Sequence, residues 1–371
     1  MKHYPLVIVG AGPAGLSAAI EAAKVGVSVL IIDENLRPGG QMFKQIHKFF
    51  GSREHHAGVR GYDIGKMLLE QAQQLGVEFW MECEVLGIEQ EHCLWISCQK
   101  HTTRLIYADS IILATGAVEN ALPFEGWELP GVMNAGAAQT MININRVLPG
   151  RQIVMIGSGN VGVIVSYQLM QAGAQVQAVV EAAPQLTGYG VHISKVRRAG
   201  VPFYTSHTVK RAIGRQHVEA VELVRVDSAF HPISGTEQIF PADTICIAVG
   251  FTPLIELAAA AGCHLSFCRP FGGSLPTHDH CMRTSIGHIF IAGDISGVEE
   301  ASTAMEEGRL AGINAARCLG AVSEATAAEE SRRIWERLDT LRSGQFGQRR
   351  HDLKEKLIAE GEAMFSCAST R

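Results

Sequence analysis

The chain has 371 residues, of which 47% are hydrophobic and 19% charged, and its formal net charge is −5. This modest, unclustered charge gives no basic footprint for a nucleic-acid partner. No apolar run reaches the ~18 residues of a membrane-spanning helix without crossing a glycine-rich loop, so we expect no membrane span. The length predicts about two to three domains.

The cysteines are scattered along the chain, and no two of them form a C-x-x-C or a zinc-finger spacing. This pattern is typical of thiols that are buried as small apolar residues in a reduced, cytoplasmic protein, and it predicts no metal site. The cysteines are Cys83, Cys93, Cys98, Cys246, Cys263, Cys268, Cys281, Cys318 and Cys367.

The first elements form a strand, a glycine-rich loop and a helix. Leu6–Val9 predicts a buried parallel strand, and Leu16–Lys24 predicts a helix. Between them stands a complete G-x-G-x-x-G, whose glycines allow a tight turn, the approach of a pyrophosphate, and close packing of helix on strand. The sequence therefore predicts a dinucleotide site formed by Gly10, Gly12, Pro13, Ala14 and Gly15.

Two carboxylates follow the second predicted strand, Val27–Ile32. Asp33 and Glu34 stand where the ribose of a bound dinucleotide needs a hydrogen-bond acceptor. The next residues include Pro38-Gly39-Gly40, followed by Gln41, and predict a loop whose backbone lies against the ligand.

The stretch Met42–Gly65 is rich in lysine, arginine and histidine. Its histidines lack a carboxylate or cysteine at helical spacing, so we do not expect a metal site there. A solvated loop, a loop over a phosphate and a subunit contact all remain open. A helix over Lys66–Leu75 and short strands at Val77–Trp80 and Glu84–Ile88 follow.

A second strand–loop–helix pattern begins near the middle of the chain. Before it, a buried strand ends in Ala114-Thr115-Gly116, where small residues permit close passage of a nucleotide or of the chain crossing to the next domain. The second loop, Gly157–Gly162, is again a full fingerprint. Glu181 lies 24 residues after Gly157, as Glu34 lies 24 residues after Gly10.

The second fingerprint predicts a site for NAD. An acid after the second strand accepts from a ribose 2′-hydroxyl and repels a 2′-phosphate, which favours NAD over NADP. A duplicated fold whose second pocket is empty or holds another adenine nucleotide remains open. The candidate residues are Gly157, Gly159, Asn160, Val161, Gly162 and Glu181.

A further strand ends in Gly293-Asp294 and precedes a helix over Ala301–Leu319. This order places Asp294 at the carboxyl edge of a sheet, where it can accept from a ribityl hydroxyl. The last segment predicts two helices, Arg332–Leu341 and Asp352–Phe365, with an apolar stripe that either packs on its own domain or docks a partner.

Together, the motifs VIVGAGPAG, IIDE…PGGQ, ILATG, VMIGSGNVG and IFIAGDI resemble the FAD-dependent pyridine-nucleotide oxidoreductases with two dinucleotide-binding domains. The resemblance implies an α/β chain with two Rossmann-like domains and a short helical tail. The implied FAD domain comprises residues 1–117 and 247–320, the NAD(P)-type domain 118–246, and the helical extension 321–371.

The resemblance also implies where FAD lies. The first fingerprint and Asp294 would hold it, and Val85 is placed like the strand that contacts the adenine. The full implied set is Gly10, Gly12, Pro13, Ala14, Gly15, Asp33, Glu34, Gly40, Gln41, Val85, Ala114, Thr115, Gly116, Gly293, Asp294 and Thr303.

One departure from the disulfide reductases of this group concerns function. Gln41-Met42-Phe43 follows Gly40, and no redox C-x-x-C is present, so the attacking and resolving thiols are missing. The sequence more closely resembles that of the nucleotide-binding subunit of multi-subunit amino-acid dehydrogenases and oxidases. That resemblance implies a companion flavin subunit that oxidises an amine. With only Cys367 in the tail, any iron–sulfur cluster is expected on a small partner protein.

Three functional hypotheses follow. The chain is the electron-transfer subunit of an amine-oxidising complex, a self-sufficient NAD(P)H:acceptor reductase, or a structural subunit that holds nucleotides without turnover. No general acid, base or nucleophile stands out, and no catalytic residue is predicted. Hydride transfer between a nicotinamide and a flavin requires none, because the cofactors carry that chemistry.

Overall fold

The computed structural model describes residues 2–89, 92–99 and 101–368, without the side chains of residues 345, 346 and 366–368. The chain divides into two compact units. The first comprises residues 2–118 and 252–368, and the second comprises residues 119–251.

The elements are numbered in chain order. The first segment of unit one contains β1 (Lys2–Val9), α1 (Pro13–Lys24), β2 (Val29–Ile32), α2 (Gly61–Gln74), β3 (Glu78–Trp80), β4 (Cys83–Ile88), β5 (Cys93–Cys98), β6 (Thr102–Leu113) and β7 (Ala117–Glu119). Unit two contains β8 (Val132–Asn134), α3 (Ala135–Thr140), β9 (Gln152–Ile156), α4 (Asn160–Gln171), β10 (Gln175–Glu181), α5 (Gly190–Arg198), β11 (Phe203–Thr205), β12 (His207–Ile213), β13 (Ala220–Arg225), β14 (Gln238–Pro241) and β15 (Thr244–Ile247). The chain then continues through β16 (Phe251–Pro253), α6 (Glu256–Ala260), β17 (Leu265–Cys268), β18 (Gly273–Pro276), β19 (Ile289–Ile291), α7 (Ala301–Cys318), α8 (Glu324–Leu341) and α9 (Gly344–Ala368).

The main sheet of unit one has the order β3-β2-β1-β6-β5-β4, and β19 pairs with β6. Strands β3, β2, β1, β6 and β19 are parallel, whereas β4, β5 and β6 form an antiparallel meander. Leu6, Val7 and Ile8 in the centre are fully buried. This agrees with the unbroken apolar run of β1, since a parallel strand covered on both faces needs apolar residues at every position.

Helix α7 lies directly on α1 because two of its residues are glycines one turn apart. A Cβ at Gly308 would lie 2.2 Å from the Ala14 carbonyl oxygen, and a Cβ at Gly312 would lie 2.3 Å from that of Ala18. The two helix backbones therefore touch. This contact fixes the start of α7 beside the start of α1, where the first glycine loop ends.

Unit two is built on a parallel sheet with the order β11-β10-β9-β15-β8. A separate antiparallel sheet of β12, β13 and β14 packs its apolar residues with one face of that sheet. The sequence predicted β9, α4 and β10 from the second fingerprint. It did not predict α3 or α5, which are short helices of six and nine residues.

The tail forms longer helices than predicted. Helix α8 begins at Glu324, where the Ser323 hydroxyl accepts a hydrogen bond from the Thr326 N–H at 3.2 Å and caps the helix. Ile334 and Leu338 are buried in the core of unit one. The apolar stripe is therefore covered by the chain's own residues, which is the own-domain alternative of the two that the sequence left open.

Helix α9 packs against the segment before β19. A Cβ at Gly361 would lie 2.4 Å from the His278 carbonyl oxygen, and Leu357 packs with Phe271.

Within the described ranges, no helix is long and apolar enough to cross a membrane.

Candidate functional site

The carboxyl ends of four parallel strands meet at one edge of the first sheet. Val9 of β1 lies opposite Ile32 of β2 and Leu113 of β6, and Leu113 lies opposite Ile291 of β19. Each strand is followed at once by a predicted site segment. Because the strands are in register, the glycine loop, Asp33, the Ala114 turn and the Gly293 turn all lie along this edge, where ligands bind in open α/β sheets.

The first glycine loop has the geometry that the fingerprint predicts. Gly10 has φ = +107°, and a Cβ there would lie 2.2 Å from the Ala114 carbonyl oxygen. A Cβ at Gly15 would lie 1.9 Å from the Gly10 carbonyl oxygen. A Cβ at Gly12 would meet no atom within 4 Å, so the space beside it is open. Helix α1 begins at Pro13. The N–H groups of its first turn have no partner within the helix, and they face this open space.

Asp33 holds the glycine loop from the end of β2. Its Oδ2 accepts the Ala11 N–H at 2.6 Å, and its Oδ1 accepts the backbone and side-chain N–H groups of Asn35, each at 2.8 Å. A carboxylate has about four acceptor positions, so one remains for a ligand hydroxyl. Asp33 is buried, whereas Glu34 is exposed.

The Pro-Gly-Gly loop lies on the glycine loop. The Gly39 N–H donates to the Ala11 carbonyl at 2.8 Å, and a Cβ at Gly40 would lie 2.9 Å from Gly12 Cα. Gly39 and Gly40 have φ angles of +122° and +53°, a conformation that favours glycine. Gln41 is exposed at the start of a short 3₁₀ turn.

Three further predicted positions lie near the same edge. Thr115 Oγ1 donates to the Leu254 carbonyl at 2.7 Å, which uses its hydrogen within the protein, while a Cβ at Gly116 would meet nothing within 4 Å. Val85 is buried in β4, and the first residue of that strand, Cys83, donates its N–H to the Asp33 carbonyl at 3.0 Å. Strand β4 thus begins beside the acid that holds the glycine loop.

The turn after β19 brings Asp294 close to α1. A Cβ at Gly293 would lie 2.8 Å from the Ala14 Cβ, so only glycine fits there without a shift. Burial raises the pKa of Asp294 to about 7, and neighbouring glutamates add to this, although a hydrogen bond from the Glu299 backbone opposes it. Thr303 is buried in the first turn of α7, where its hydroxyl donates to the Glu300 carbonyl at 2.6 Å.

The second glycine loop repeats the backbone of the first. Gly157 has φ = +106°, and a Cβ there would lie 2.1 Å from the Ala248 carbonyl oxygen, as Gly10 meets Ala114. A Cβ at Gly162 would lie 2.2 Å from the Gly157 carbonyl oxygen. Gly159 caps α4, and Val161 in its first turn packs against the core of unit two.

Glu181 has the role in unit two that Asp33, and not Glu34, has in unit one. Its Oε2 accepts the Ser158 N–H at 3.0 Å and the Ser158 hydroxyl at 2.6 Å, and its Oε1 accepts the Ala183 N–H at 2.9 Å. The matched spacing of 24 residues therefore paired the wrong acid. The reason is an irregularity between Val176 and Ala178 in the pairing of β10 with β9, which adds one residue to the second copy.

The second loop differs from the first in what covers it. The Thr187 N–H donates to Ser158 Oγ at 3.1 Å, and the Tyr189 N–H donates to Asn160 Oδ1 at 2.8 Å. A Cβ at Gly159 would have Thr187 Oγ1 at 3.9 Å, whereas Gly12 has open space. Residues 187–189 were not singled out from the sequence, and only the glycine at 188 marks this close approach.

Two cysteines are paired in the structure. Cys83 and Cys98 lie opposite each other in β4 and β5, with 4.1 Å between their Cα atoms, and form a disulfide. The prediction of unpaired thiols is therefore wrong for Cys83 and Cys98. Their pairing depends on the register of β4 and β5, and the spacing of cysteines in the sequence does not give that register. Cys367 lies outside the described side chains.

Burial disfavours the thiolate of two further cysteines. Burial raises the pKa of Cys246 to about 12 and that of Cys281 to about 11, although the Arg317 guanidinium lies 3.8 Å from the Cys281 sulfur. Because the thiolate is the nucleophile, neither group is prepared for thiol–disulfide exchange.

The histidine-rich insert is anchored to α7. His55 is buried, and its Nε2 lies 3.0 Å from Glu306, which also accepts from Arg337 at 3.0 Å and from Arg309.

Helix α2 begins at Gly61, five residues before the predicted start. Among the residues that the structure describes, no group of three potential ligands could hold a metal ion.

A family model described as pyridine nucleotide-disulphide oxidoreductase matches residues 4–308. The chain belongs to this family. The prediction of a flavoprotein oxidoreductase of this group, with Rossmann-like sheets, is thereby confirmed. The family implies FAD and a pyridine nucleotide as cofactors.

Several curated relatives are named as subunits. An opine oxidase subunit of Agrobacterium tumefaciens is 32% identical over 87% of this chain and 67% of that protein. Hydrogen cyanide synthase subunit HcnB of Pseudomonas aeruginosa is 28% identical over 93% of this chain and 78% of that protein. Of a second opine oxidase subunit, from Rhizobium meliloti, the chain spans 64%.

Solved structures show the same fold. Thioredoxin reductase of T. acidophilum superposes with a TM-score of 0.69 at 20% identity, over 86% of this chain and 99% of that one. L-proline dehydrogenase from P. horikoshii superposes with a TM-score of 0.66 at 23% identity, over 89% of this chain and 59% of that one.

Proposed function

We propose that this chain is an FAD-dependent oxidoreductase that serves as the electron-transfer subunit of a multi-subunit amino-acid or amine dehydrogenase. The observation that carries the proposal is the edge of the first sheet. The open space at Gly12, the remaining acceptor position of Asp33 and the carboxyl of Asp294 lie along it. A dinucleotide needs these groups in this order, for its pyrophosphate, ribose and ribityl chain.

The residues fit FAD at each of these points. The first turn of α1 offers unpaired N–H groups and the positive end of its dipole to a pyrophosphate. Gly39 and Gly40 bring a second backbone segment against the same space. When bound, FAD supplies the ability to accept and pass on electrons, and the chain's own residues bind and orient it.

The subunit role is supported by two features. The names of the relatives describe subunits of opine oxidase and hydrogen cyanide synthase. Burial disfavours the thiolates of Cys246 and Cys281, and the paired cysteines, Cys83 and Cys98, lie in the meander rather than in a C-x-x-C. We infer that electrons leave the flavin to a partner group and not to a protein disulfide. A companion amine-oxidising flavin subunit and a small iron–sulfur protein are the proposed partners.

The second candidate is a self-sufficient NADH:acceptor reductase, favoured by the second glycine loop. Gly157 and Gly162 form a backbone turn suited to the adenosine half of NAD, and Glu181, which accepts hydrogen bonds from Ser158, Ala183 and Thr187, lies beside that turn. If NADH is the electron donor, Glu181→Ala should weaken its binding far more than that of NADPH.

Purification of the tagged chain from its native host tests the proposal. We expect a yellow complex that contains FAD and a second flavin-binding chain, and whose flavin is reduced by an amine. A chain that purifies alone and turns over NADH with an added acceptor contradicts the subunit role. A colourless chain that binds no added FAD contradicts the oxidoreductase assignment.

A further inference from the structure

A buried cluster of charges joins the C-terminal helices to the turn that carries Asp294. Glu307 of α7 accepts Arg342 Nη2 at 2.6 Å and Lys354 Nζ at 2.9 Å through Oε1. Through Oε2 it accepts the Ser296 hydroxyl at 2.6 Å and the Gly293 N–H at 3.1 Å. The side chains of Glu307, Arg342 and Lys354 are at most 2% exposed.

The same two cations hold the chain that follows Asp294. Lys354 Nζ donates to the Ser296 carbonyl at 2.7 Å, after Asp294 in the chain. Arg342 binds the carboxylate of Glu299 through Nε and Nη2, and the Glu299 backbone N–H donates to Asp294. The position of the Asp294 carboxyl is thus fixed by contacts that begin in the tail.

The cations of this cluster come from the tail, whereas its acids do not. Asp294, Glu299 and Glu307 all come from the segment between β19 and the middle of α7. The cations that contact Glu307 come from the end of α8 and from α9, and together they hold the pKa of Glu307 well below its usual range in spite of burial. Loss of one partner from a buried pair leaves an uncompensated charge, which is strongly unfavourable.

The tail lies outside the part of the chain that the family model describes. That model ends at residue 308, before Arg342 and Lys354. The thioredoxin reductase structure is matched over 99% of its length by only 86% of this chain. Arg342 and Lys354 therefore lie outside the part of the chain that this family model matches.

We propose that α8 and α9 complete the flavin site, and that Arg342 and Lys354 are positioning residues that hold the 293–296 turn for the flavin ribityl chain. The inference rests on the proposed use of FAD. It gives the tail a role inside this chain, in contrast to a role in docking a partner. It also adds to the site two residues that touch no substrate and act through Glu307, Glu299 and Ser296.

The test is the FAD affinity of Lys354→Met, measured by titrating flavin-free protein with FAD and following flavin fluorescence. The matched control is Lys356→Met on the same helix, because that side chain is 73% exposed and its pair with Glu360 is 3.9 Å long. We expect the dissociation constant to rise about tenfold or more for Lys354→Met and to stay unchanged for Lys356→Met. The gain in melting temperature on adding a fixed FAD concentration should shrink in parallel.

A milder variant keeps the inference testable if Lys354→Met does not fold. Ser296→Ala removes the hydroxyl between Lys354 and Glu307 but leaves those two charges paired. It should fold, and its FAD affinity should fall severalfold. A Lys354→Met or Ser296→Ala protein that melts lower but binds FAD like the wild type shows a merely structural cluster and overturns the inference. A wild-type chain that binds no FAD overturns the proposed function as well.

Discussion

Asp33 and Glu34 are adjacent in sequence, but they differ in burial and in hydrogen bonding. Asp33 is buried and holds the Ala11 and Asn35 N–H groups, whereas Glu34 points to the surface. The sequence shows two acids at the end of a strand and cannot show which one faces the loop, because side chains alternate between faces of a strand and the register decides. The structure makes Asp33 the counterpart of Glu181.

We therefore expect Asp33→Asn to weaken FAD binding more than Glu34→Gln. Loss of a charge-assisted hydrogen bond costs ~1.5–3 kcal/mol, which is about a tenfold to hundredfold change in affinity. The measurement is the FAD dissociation constant of each flavin-free variant. Equal losses for the two variants, or a loss for Glu34→Gln alone, would restore the pairing of Glu34 with Glu181 that the sequence suggested.

Asp294 predicts a dependence of stability on pH in the flavin-free chain. Its folded pKa of about 7 lies above the ordinary value of 3.8, so the folded state prefers the protonated acid. Stability from this group is fully present below pH ~4 and is lost as the pH rises through ~7, by a few kcal/mol at most. Asp294→Asn should therefore unfold at a higher urea concentration than the wild type at pH 8 and at a similar one at pH 4.

The nearby carboxylates Glu299, Glu300 and Glu307 are present in both proteins, so the difference between wild type and Asp294→Asn isolates the one group. If that difference is the same at pH 4 and pH 8, Asp294 is not held in its neutral form by burial.

The proposed reaction uses no cysteine thiol, and substitution of single cysteines tests this. Cys246→Ala and Cys281→Ala should keep flavin content and electron transfer to an artificial acceptor, since burial disfavours both thiolates. Some loss of stability is expected from Cys246→Ala, because its side chain is fully buried. A folded, flavin-loaded variant without turnover would contradict the absence of a catalytic thiol.

At the scale of elements, the strand–loop–helix units were predictable and the contacts between distant elements were not. Glycine spacing is a local signal, and it predicted both loops because the first and last glycine of each loop leave no room for a Cβ. The contact of Gly308 and Gly312 with α1 could have been found from their i, i+4 spacing. The anchors Arg342 and Lys354 gave no such signal, since a charged residue in a helix usually faces solvent and only the tertiary fold shows these two to be buried.

The first loop offers a matched pair of glycine variants. Gly12→Ala should fold with the stability of the wild-type flavin-free chain, because its Cβ meets no protein atom within 4 Å, but it should bind FAD poorly since that space is where we place the pyrophosphate. Gly15→Ala should instead lower the stability, because its Cβ would lie 1.9 Å from the Gly10 carbonyl oxygen. The checks are thermal unfolding and visible flavin absorbance. Full flavin content in a folded Gly12→Ala protein would contradict the site.

For the whole molecule, the sequence predicted the family and the two sheets correctly, and the second pocket is the feature on which the proposed functions diverge. A later segment lies on each glycine loop: the Gly39 N–H donates to the Ala11 carbonyl of the first, and the N–H groups of Thr187 and Tyr189 donate to Ser158 and Asn160 of the second. The two covering segments differ in sequence, so the second pocket is not a copy of the first. The sequence shows the glycines of both loops equally well. It does not show which later segment packs on each loop.

The measurement that tests the account most directly is anaerobic stopped-flow mixing of the isolated, FAD-loaded chain with NADH, followed by flavin absorbance. For an electron-transfer subunit whose flavin is reduced through an amine-oxidising partner, we expect slow or no bleaching by NADH, and bleaching by the amine once the partner is present. Bound adenine nucleotide that survives purification unchanged would agree with a structural use of the second site. Rapid, stoichiometric bleaching of the isolated chain by NADH would contradict the subunit role and establish a self-sufficient reductase.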